Sequence, residues 1–236
     1  MNEILKIQNL SSGYNGNRVL MDISLSLSAG EVLAVIGQNG SGKSTFLKTI
    51  ARIIKDNTGN IFFADMSLNN KNTWDLKQLG ISLFFQGGMV FPTMKVSEHF
   101  ELALSSKTKS EAAILKQECF TYFPALSNCM DKRGGNLSGG QRQMLSFAML
   151  LSQETKCWLL DEPTAGLSPE AVKEAVVFLK KMKDQGDKTM ILVEHNYTVA
   201  FELADYVAII KEGKLYNSFS KQEFEADNFL NQHLYN

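Results

Sequence analysis

Little in this chain is extreme, and its shortages are informative. It has only four prolines in 236 residues, and no stretch reads as an interdomain linker. Its three cysteines, Cys119, Cys129 and Cys157, are an odd number without metal-type spacing. They read as free reduced thiols, Cys157 as a buried one opening an apolar strand. Charge of one sign is not in excess: the formal net charge is −1, which gives no electrostatic footprint for nucleic acid. No apolar run approaches bilayer-spanning length. The start, "MNEILKIQNL", lacks the basic and apolar segments of a signal peptide. The expectation is a protein of the cytoplasm, or one held at a membrane by something else. Repeats and low-complexity tracts are absent as well.

What remains is an ordinary globular composition, 44% hydrophobic and 21% charged. Short β-like runs come first: "ILKIQNL", "ISLSL" and "VLAVIG". A helical pattern follows from Lys43 to Ile54, then the strands "GNIFFA" and "GISLFF". Residues 97 to 123 have helical spacing in two segments, opened by the N-cap candidates Ser97 and Ser110. Strands and helices then alternate: "CWLL", a helix capped by Ser168 with Pro169 first and Gly186 as stop, "TMILVEH", "NYTVAFELA", and two strands around the turn in "YVAIIKEGKLYN". Continuous apolar strands alternating with helices predict an α/β fold with a parallel sheet covered on both faces. Residues 220 to 235 read as terminal helices with a Ser220–Glu223 capping box.

The chemistry concentrates in a few segments. "GQNGSGKS" follows the strand "VLAVI" and opens a helix, matching the phosphate-loop pattern at Gly37, Gly42, Lys43 and Ser44. Glycines there let backbone N–H groups close around phosphates. Lys43 reaches the β and γ phosphates, and Ser44 ligates Mg²⁺. In "CWLLDEP" a buried strand ends in Asp161, placed to hold Mg²⁺ through water, and Glu162, the candidate for orienting the attacking water. Alone, such an acidic pair reads as a solvated turn; beside a phosphate loop it reads as catalytic. A second glycine pair precedes a helix in "NLSGGQRQML". Met144, Leu145, Ala148 and Leu151 anchor that helix, leaving Ser138, Gly139, Gly140 and Gln141 outward at its N-terminus, where a phosphate is favoured.

With "LSGGQ" in place, the chain resembles the ATP-binding cassette (ABC) ATPases over nearly its whole length. The resemblance implies a P-loop NTPase core with a mainly parallel sheet, an N-terminal antiparallel β subdomain and a helical insert. It implies one domain, 1–236, with the helical subdomain at about 87–150. It implies ATP and Mg²⁺, with Gly37, Gln38, Asn39, Gly40, Ser41, Gly42, Lys43, Ser44 and Thr45 on the nucleotide. Tyr14 looks like the aromatic that stacks on adenine, against an ordinary exposed loop residue. Gln86 looks like the glutamine that touches Mg²⁺, with Ser44 and Asp161. His195 looks like the histidine that contacts the γ-phosphate. His99 and His233 match no motif and are expected on the surface.

The resemblance also implies a transporter's ATPase subunit, and "DEPTAGLSP" with the short length is similar to branched-chain amino-acid importers. Its implied partners are transmembrane permease subunits, a second ABC ATPase chain, identical or paralogous, and an extracytoplasmic binding protein. The resemblance further implies that two chains pair head-to-tail, each signature capping the other's ATP, and that closure drives transport from the cytoplasmic face of the cell membrane. The Met- and Phe-rich "GGMVFPTMKVSEHF" either faces the core or forms the groove for the permease, with Phe91 and Met94 as lining candidates. The alternative function is a soluble ABC-type mechanochemical ATPase. Two positions depart from the family pattern: Ser168, where Asp is common, and Trp158, where an aliphatic residue is usual.

Overall fold

The computed structural model describes residues 3–186 and 188–224. Its first unit is a hairpin of β1 (Glu3–Tyr14) and β2 (Asn17–Ser28). The turn residues Asn15 and Gly16 both take positive φ, 51° and 80°, the pattern whose twist matches paired strands. β4 (Asn57–Phe63) and β5 (Met66–Ser67) extend it to an antiparallel sheet in the order β2-β1-β4-β5. The antiparallel β subdomain is therefore present.

The second sheet runs β10-β9-β3-β8-β7-β6. It contains β3 (Val32–Ile36), β6 (Ile81–Phe84), β7 (Cys157–Asp161), β8 (Thr189–Val193), β9 (Tyr206–Lys211) and β10 (Lys214–Ser220). All neighbours are parallel except β9 and β10. The parallel strands end on one side, so the loops after β3, β6, β7 and β8 converge there.

Strand alternation divides the core. Trp158, Leu160, Met190 and Leu192 face one side, with α3 (Val96–Ala103), α4 (Lys109–Tyr122), α5 (Gly139–Leu151) and α6 (Pro169–Asp184). Leu159, Ile191 and Val193 face the other, with α1 (Lys43–Ile50) and the antiparallel sheet. α7 (Tyr197–Leu203) packs by Ala200 against Ala34 and Ile36. α2 (Thr73–Gln78) lies before β6, and α8 (Lys221–Phe224) follows β10. Trp158 is fully buried, stacks on Phe178 at 6.1 Å and donates its indole N–H to Thr155 Oγ1 at 3.2 Å. That partner is what an indole needs in an apolar layer. Truncating such an aromatic costs about 3–5 kcal/mol.

Several boundaries differ from the sequence expectation. α1 stops at Ile50, not Ile54, because Arg52 turns to φ 56° and donates to Asn57 Oδ1 and the Asn69 carbonyl. α3 begins at Val96, with Glu98 accepting the Lys95 N–H at 2.6 Å, so Ser97 is not its cap. α4 is capped by Thr108, not Ser110: Thr108 and Glu111 bond reciprocally, a capping box that starts two residues earlier. Ser168 does cap α6, accepting from Ala171 N. Ser220 donates from its N–H and hydroxyl to Glu223 Oε2; residues 225–235 of the expected terminal helices, and His233, lie outside the described residues. His99 is not on the surface. It is fully buried, and its Nε2 accepts the Phe91 N–H at 2.9 Å while its Nδ1 bonds the Lys95 carbonyl at 2.7 Å.

Candidate active site

β3 delivers the phosphate loop to the convergent side. Gly37 has φ 149°, and a Cβ there would meet the Ile210 carbonyl at 2.2 Å; Gly42 has φ 108°, with a Leu20 methyl 2.7 Å from any Cβ. No other residue type fits either position. Lys43 donates from Nζ to the carbonyls of Gly37 and Gln38, both at 2.9 Å, spanning the loop from inside. Burial lowers its pKa, opposed by the charges of Glu162 and Asp161. The helix that follows has no side-chain cap and no acidic residue in its first turn. Among the described residues, the buried hydroxyl of Ser41 has no hydrogen-bond partner. A phosphate fits this cradle: the Lys43 ammonium lines a cavity at an uncapped helix start whose N–H groups are free to donate, and the Ser41 hydroxyl lies in the adjoining hollow.

Asp161 is the last residue of β7 and shares the face of Leu159, which turns it toward α1. Its Oδ1 accepts from Ser44 Oγ at 2.9 Å. Burial raises its pKa, and the Ser44 hydrogen bond pulls it back. A hydroxyl and a carboxylate fit Mg²⁺, which takes one or two protein oxygens plus phosphate oxygens rather than an all-protein cage. Among the described residues there is no cluster of three or more His, Cys, Asp or Glu that would hold a different metal.

Glu162 leaves the strand in the left-handed region, φ 48°. Such a backbone costs about 1–3 kcal/mol and is found where a site demands it. Its N–H donates to the Val193 carbonyl at 3.0 Å. The side chain is gripped from both sides: Gln86 Nε2 donates to Oε2 at 2.7 Å, and His195 Nε2 lies 2.7 Å from Oε1. A cavity of about 270 Å³ is lined by Asn39, Gly40, Lys43, Ser44, Glu162 and His195, among others. A larger cavity of about 730 Å³ lies elsewhere, between Glu3, Phe63, Lys77 and Lys156. It contains none of the motif residues, so size does not mark the site here.

Two sets of sequence candidates stand apart from this cavity. Ser138, Gly139, Gly140 and Gln141 form the start of α5, the first two exposed and the last two half-buried: Ser138 Oγ accepts from Gln141 N, and Gln141 Oε1 accepts the Ser138 N–H at 3.1 Å. Gly139 has open space where a Cβ would stand. None of the four lines the cavity holding Lys43. Tyr14 ends β1, exposed, and does not line that cavity either. Thr45 does line it, and Gln38 and Ser41 line an adjoining hollow with Ile209 and Glu212.

The structure adds residues that the motifs did not single out. Glu194 is buried and accepts from Thr164 and from the backbone of His195 and Asn196. Gln143 of α5, also buried, donates to the Pro163 carbonyl and packs where a Cβ on Gly88 would go. The signal for Glu194 was in "VEHN": a carboxylate at a buried strand end requires partners.

A convergent parallel sheet with this phosphate loop and this acidic pair defines a phosphate-loop nucleoside triphosphatase. The ABC transporter family model matches residues 20–165. The probable branched-chain amino acid transport ATP-binding protein LivF of Archaeoglobus fulgidus is 31% identical over 227 residues, spanning 96% of each chain. The arginine transport ATP-binding protein ArtM of Bacillus subtilis is 34% identical over 224 residues, 94% of this chain and 93% of that one. Among solved structures, cbiO1 from Clostridium perfringens, part of the ABC transporter complex cbiONQ, has a TM-score of 0.83 at 27% identity and covers 99% of this chain and 96% of its own. A dimeric ATP-binding cassette in a post-hydrolysis state, bound to ADP and Pi, shares the fold with a TM-score of 0.83 at 24% identity, over 92% of this chain and 99% of that one. The chain belongs to the ABC transporter ATPase family. It is the subunit that binds and hydrolyses ATP.

Proposed function

We propose that the ATP is held between two copies of such a chain and hydrolysed at Glu162. The observation that carries this is the grip of Gln86 and His195 on the Glu162 carboxylate at the edge of the Lys43 cavity. Lys43 and the loop N–H groups bind the phosphates. Ser44 and Asp161, with Gln86, would hold Mg²⁺, which supplies charge neutralisation between phosphate oxygens. Glu162 accepts hydrogen bonds from the attacking water and polarises it. His195 fixes the orientation of that carboxylate and contacts the terminal phosphate; Tyr14 stacks on the adenine. The signature, with Ser138 and Gly139 exposed and Gly140 and Gln141 half-buried, lies away from its own chain's cavity, which supports its use on a partner's nucleotide. A site completed only in the dimer makes ATP binding a closing motion.

The stroke passes to permease subunits through residues 87–96, within one domain whose helical part runs from about 87 to 150. This loop is pinned from behind. His99 takes the Phe91 N–H, the Gly134 and Gly135 N–H groups take the carbonyls of Met94 and Pro92, and Ser146 Oγ donates to the Met89 carbonyl. Its outer side shows Met89 and Phe91, both exposed, with Met94 half-buried. A rigid backbone carrying exposed apolar side chains suits a protein partner. No described helix is long and apolar enough to cross a membrane, so attachment at the cytoplasmic face rests on that partner. The names of the relatives support amino acids as the cargo class; an extracytoplasmic binding protein would deliver them.

The test is Glu162→Gln in the purified chain. It should bind Mg-ATP, hydrolyse it about 10²–10⁴-fold more slowly and accumulate as an ATP-bound dimer. Wild-type turnover would contradict the assignment.

A further inference from the structure

β7 and β8 lie side by side with Asp161 opposite Val193, so the next residues, Glu162 and Glu194, leave adjacent strands together. Their environments then diverge. Glu162 is turned into the cavity, whereas Glu194 is 2% exposed and has no access to it. Each oxygen of Glu194 serves a different segment. Oε1 accepts from Thr164 twice, from the N–H at 3.1 Å and the hydroxyl at 2.5 Å. Oε2 accepts the N–H groups of His195 at 3.1 Å and Asn196 at 3.2 Å. The Glu194 N–H points to the Val35 carbonyl at 3.4 Å, tying the same residue to β3, the strand that delivers the phosphate loop.

We propose that Glu194 is a positioning residue for ATP hydrolysis: its carboxylate clips the loop after Glu162 to the backbone of His195 and so sets the Glu162–His195 contact. This rests on the reading that Glu162 polarises the water and His195 orients it. A buried carboxylate with four donors is a stiff connection, because ionic hydrogen bonds in a low-dielectric interior are short and directional. One oxygen sits two residues past Glu162, and the other sits on the histidine that grips it. Release of either arm lets the two catalytic groups drift, and small misplacement is costly to chemistry. The phosphate loop makes its own internal bonds through Lys43, so ATP binding does not depend on the clip.

The experiment is a double-mutant cycle on the purified chain. ATP hydrolysis is followed under single-turnover conditions, so that slow rates are resolved, and ATP affinity is measured alongside. Glu194→Gln keeps the volume but places an NH₂ against one pair of donors, breaking one arm. Turnover should fall about tenfold while ATP affinity stays within about threefold. In the His195→Ala background the same change should cost less than about twofold, since the contact it positions is gone. An equal loss in both backgrounds, or a loss of ATP affinity matching the loss of turnover, would show a merely structural role and overturn the proposal. If Glu162→Gln and His195→Ala both hydrolyse at the wild-type rate, the underlying reading fails and the clip falls with it. If those two are slow and Glu194→Gln is not, only the clip is overturned. Should Glu194→Gln fail to fold, Thr164→Val removes one donor and leaves the carboxylate; it must show the same dependence on His195, at about threefold.

Discussion

Glu162 Oε1 and His195 Nε2 meet at 2.7 Å across 33 residues of sequence. The contact exists because β7 and β8 are parallel neighbours that end level, so the residue after each strand starts from nearly the same height. His195→Ala removes one of two restraints on the carboxylate. Hydrogen bonds to charged groups contribute about 1.5–3 kcal/mol, so hydrolysis should slow by roughly ten- to a hundredfold. ATP affinity should change far less. Rapid-quench hydrolysis beside equilibrium binding separates the two, and an affinity loss as large as the rate loss would count against the role given to His195.

The loop between Gln86 and Lys95 is expected to hold the permease. Replacing Phe91 and Met94 with Asp should leave ATP binding by the isolated chain within about twofold, since neither side chain lines the cavity at Lys43. Membrane recovery with co-expressed permease subunits should drop, because a carboxylate would be buried against an apolar partner. Recovery equal to wild type would place the docking surface elsewhere.

Burial sets the thiol chemistry. It pushes the Cys119 thiol up to about 11 and the Cys157 thiol up to about 12, and Cys129 is buried too. The reactive species is the thiolate, and at pH 8 a thiol at about 11 is ionised in roughly one molecule per thousand. The folded protein should therefore resist a disulfide reagent at pH 8 and react at all three cysteines once unfolded in guanidinium. Fast labelling of Cys119 or Cys157 in the folded state would contradict the packing.

The fold was legible where local rules govern. The phosphate loop, the Ser168 cap and the parallel strands follow from glycine conformation, capping chemistry and continuous apolar runs. The residues that lie outside local rules were not legible. His99 reads as a polar helix residue, yet its partners are the Lys95 carbonyl one turn back and the Phe91 N–H in the preceding loop. Glu194 reads as a charge beside a motif. Its burial depends on β7 lying next to β8, which no spacing in one strand reveals. The helical pattern points to Ser110 as a cap, and only the Glu111 carboxylate returning to Thr108 places the cap two residues earlier.

The central claim is that each ATP is enclosed by the phosphate loop of one chain and the signature of another. Ser138→Arg blocks the signature, and Lys43→Ala disables the phosphate loop. Each mutant paired with itself has two broken composite sites. A mixed dimer has one site carrying both defects and one carrying neither. Trapping of radiolabelled ATP on the separate and mixed mutants, each also bearing Glu162→Gln to stop hydrolysis, is the most direct measurement. If the natural pair is two different chains, the two mutations are divided between those partners and the same arithmetic holds. The account predicts no occluded ATP for either mutant alone and up to about one ATP per mixed dimer. No recovery on mixing, with wild-type dimers occluding normally, would mean that both loops serve one nucleotide within a single chain, and the account would be wrong.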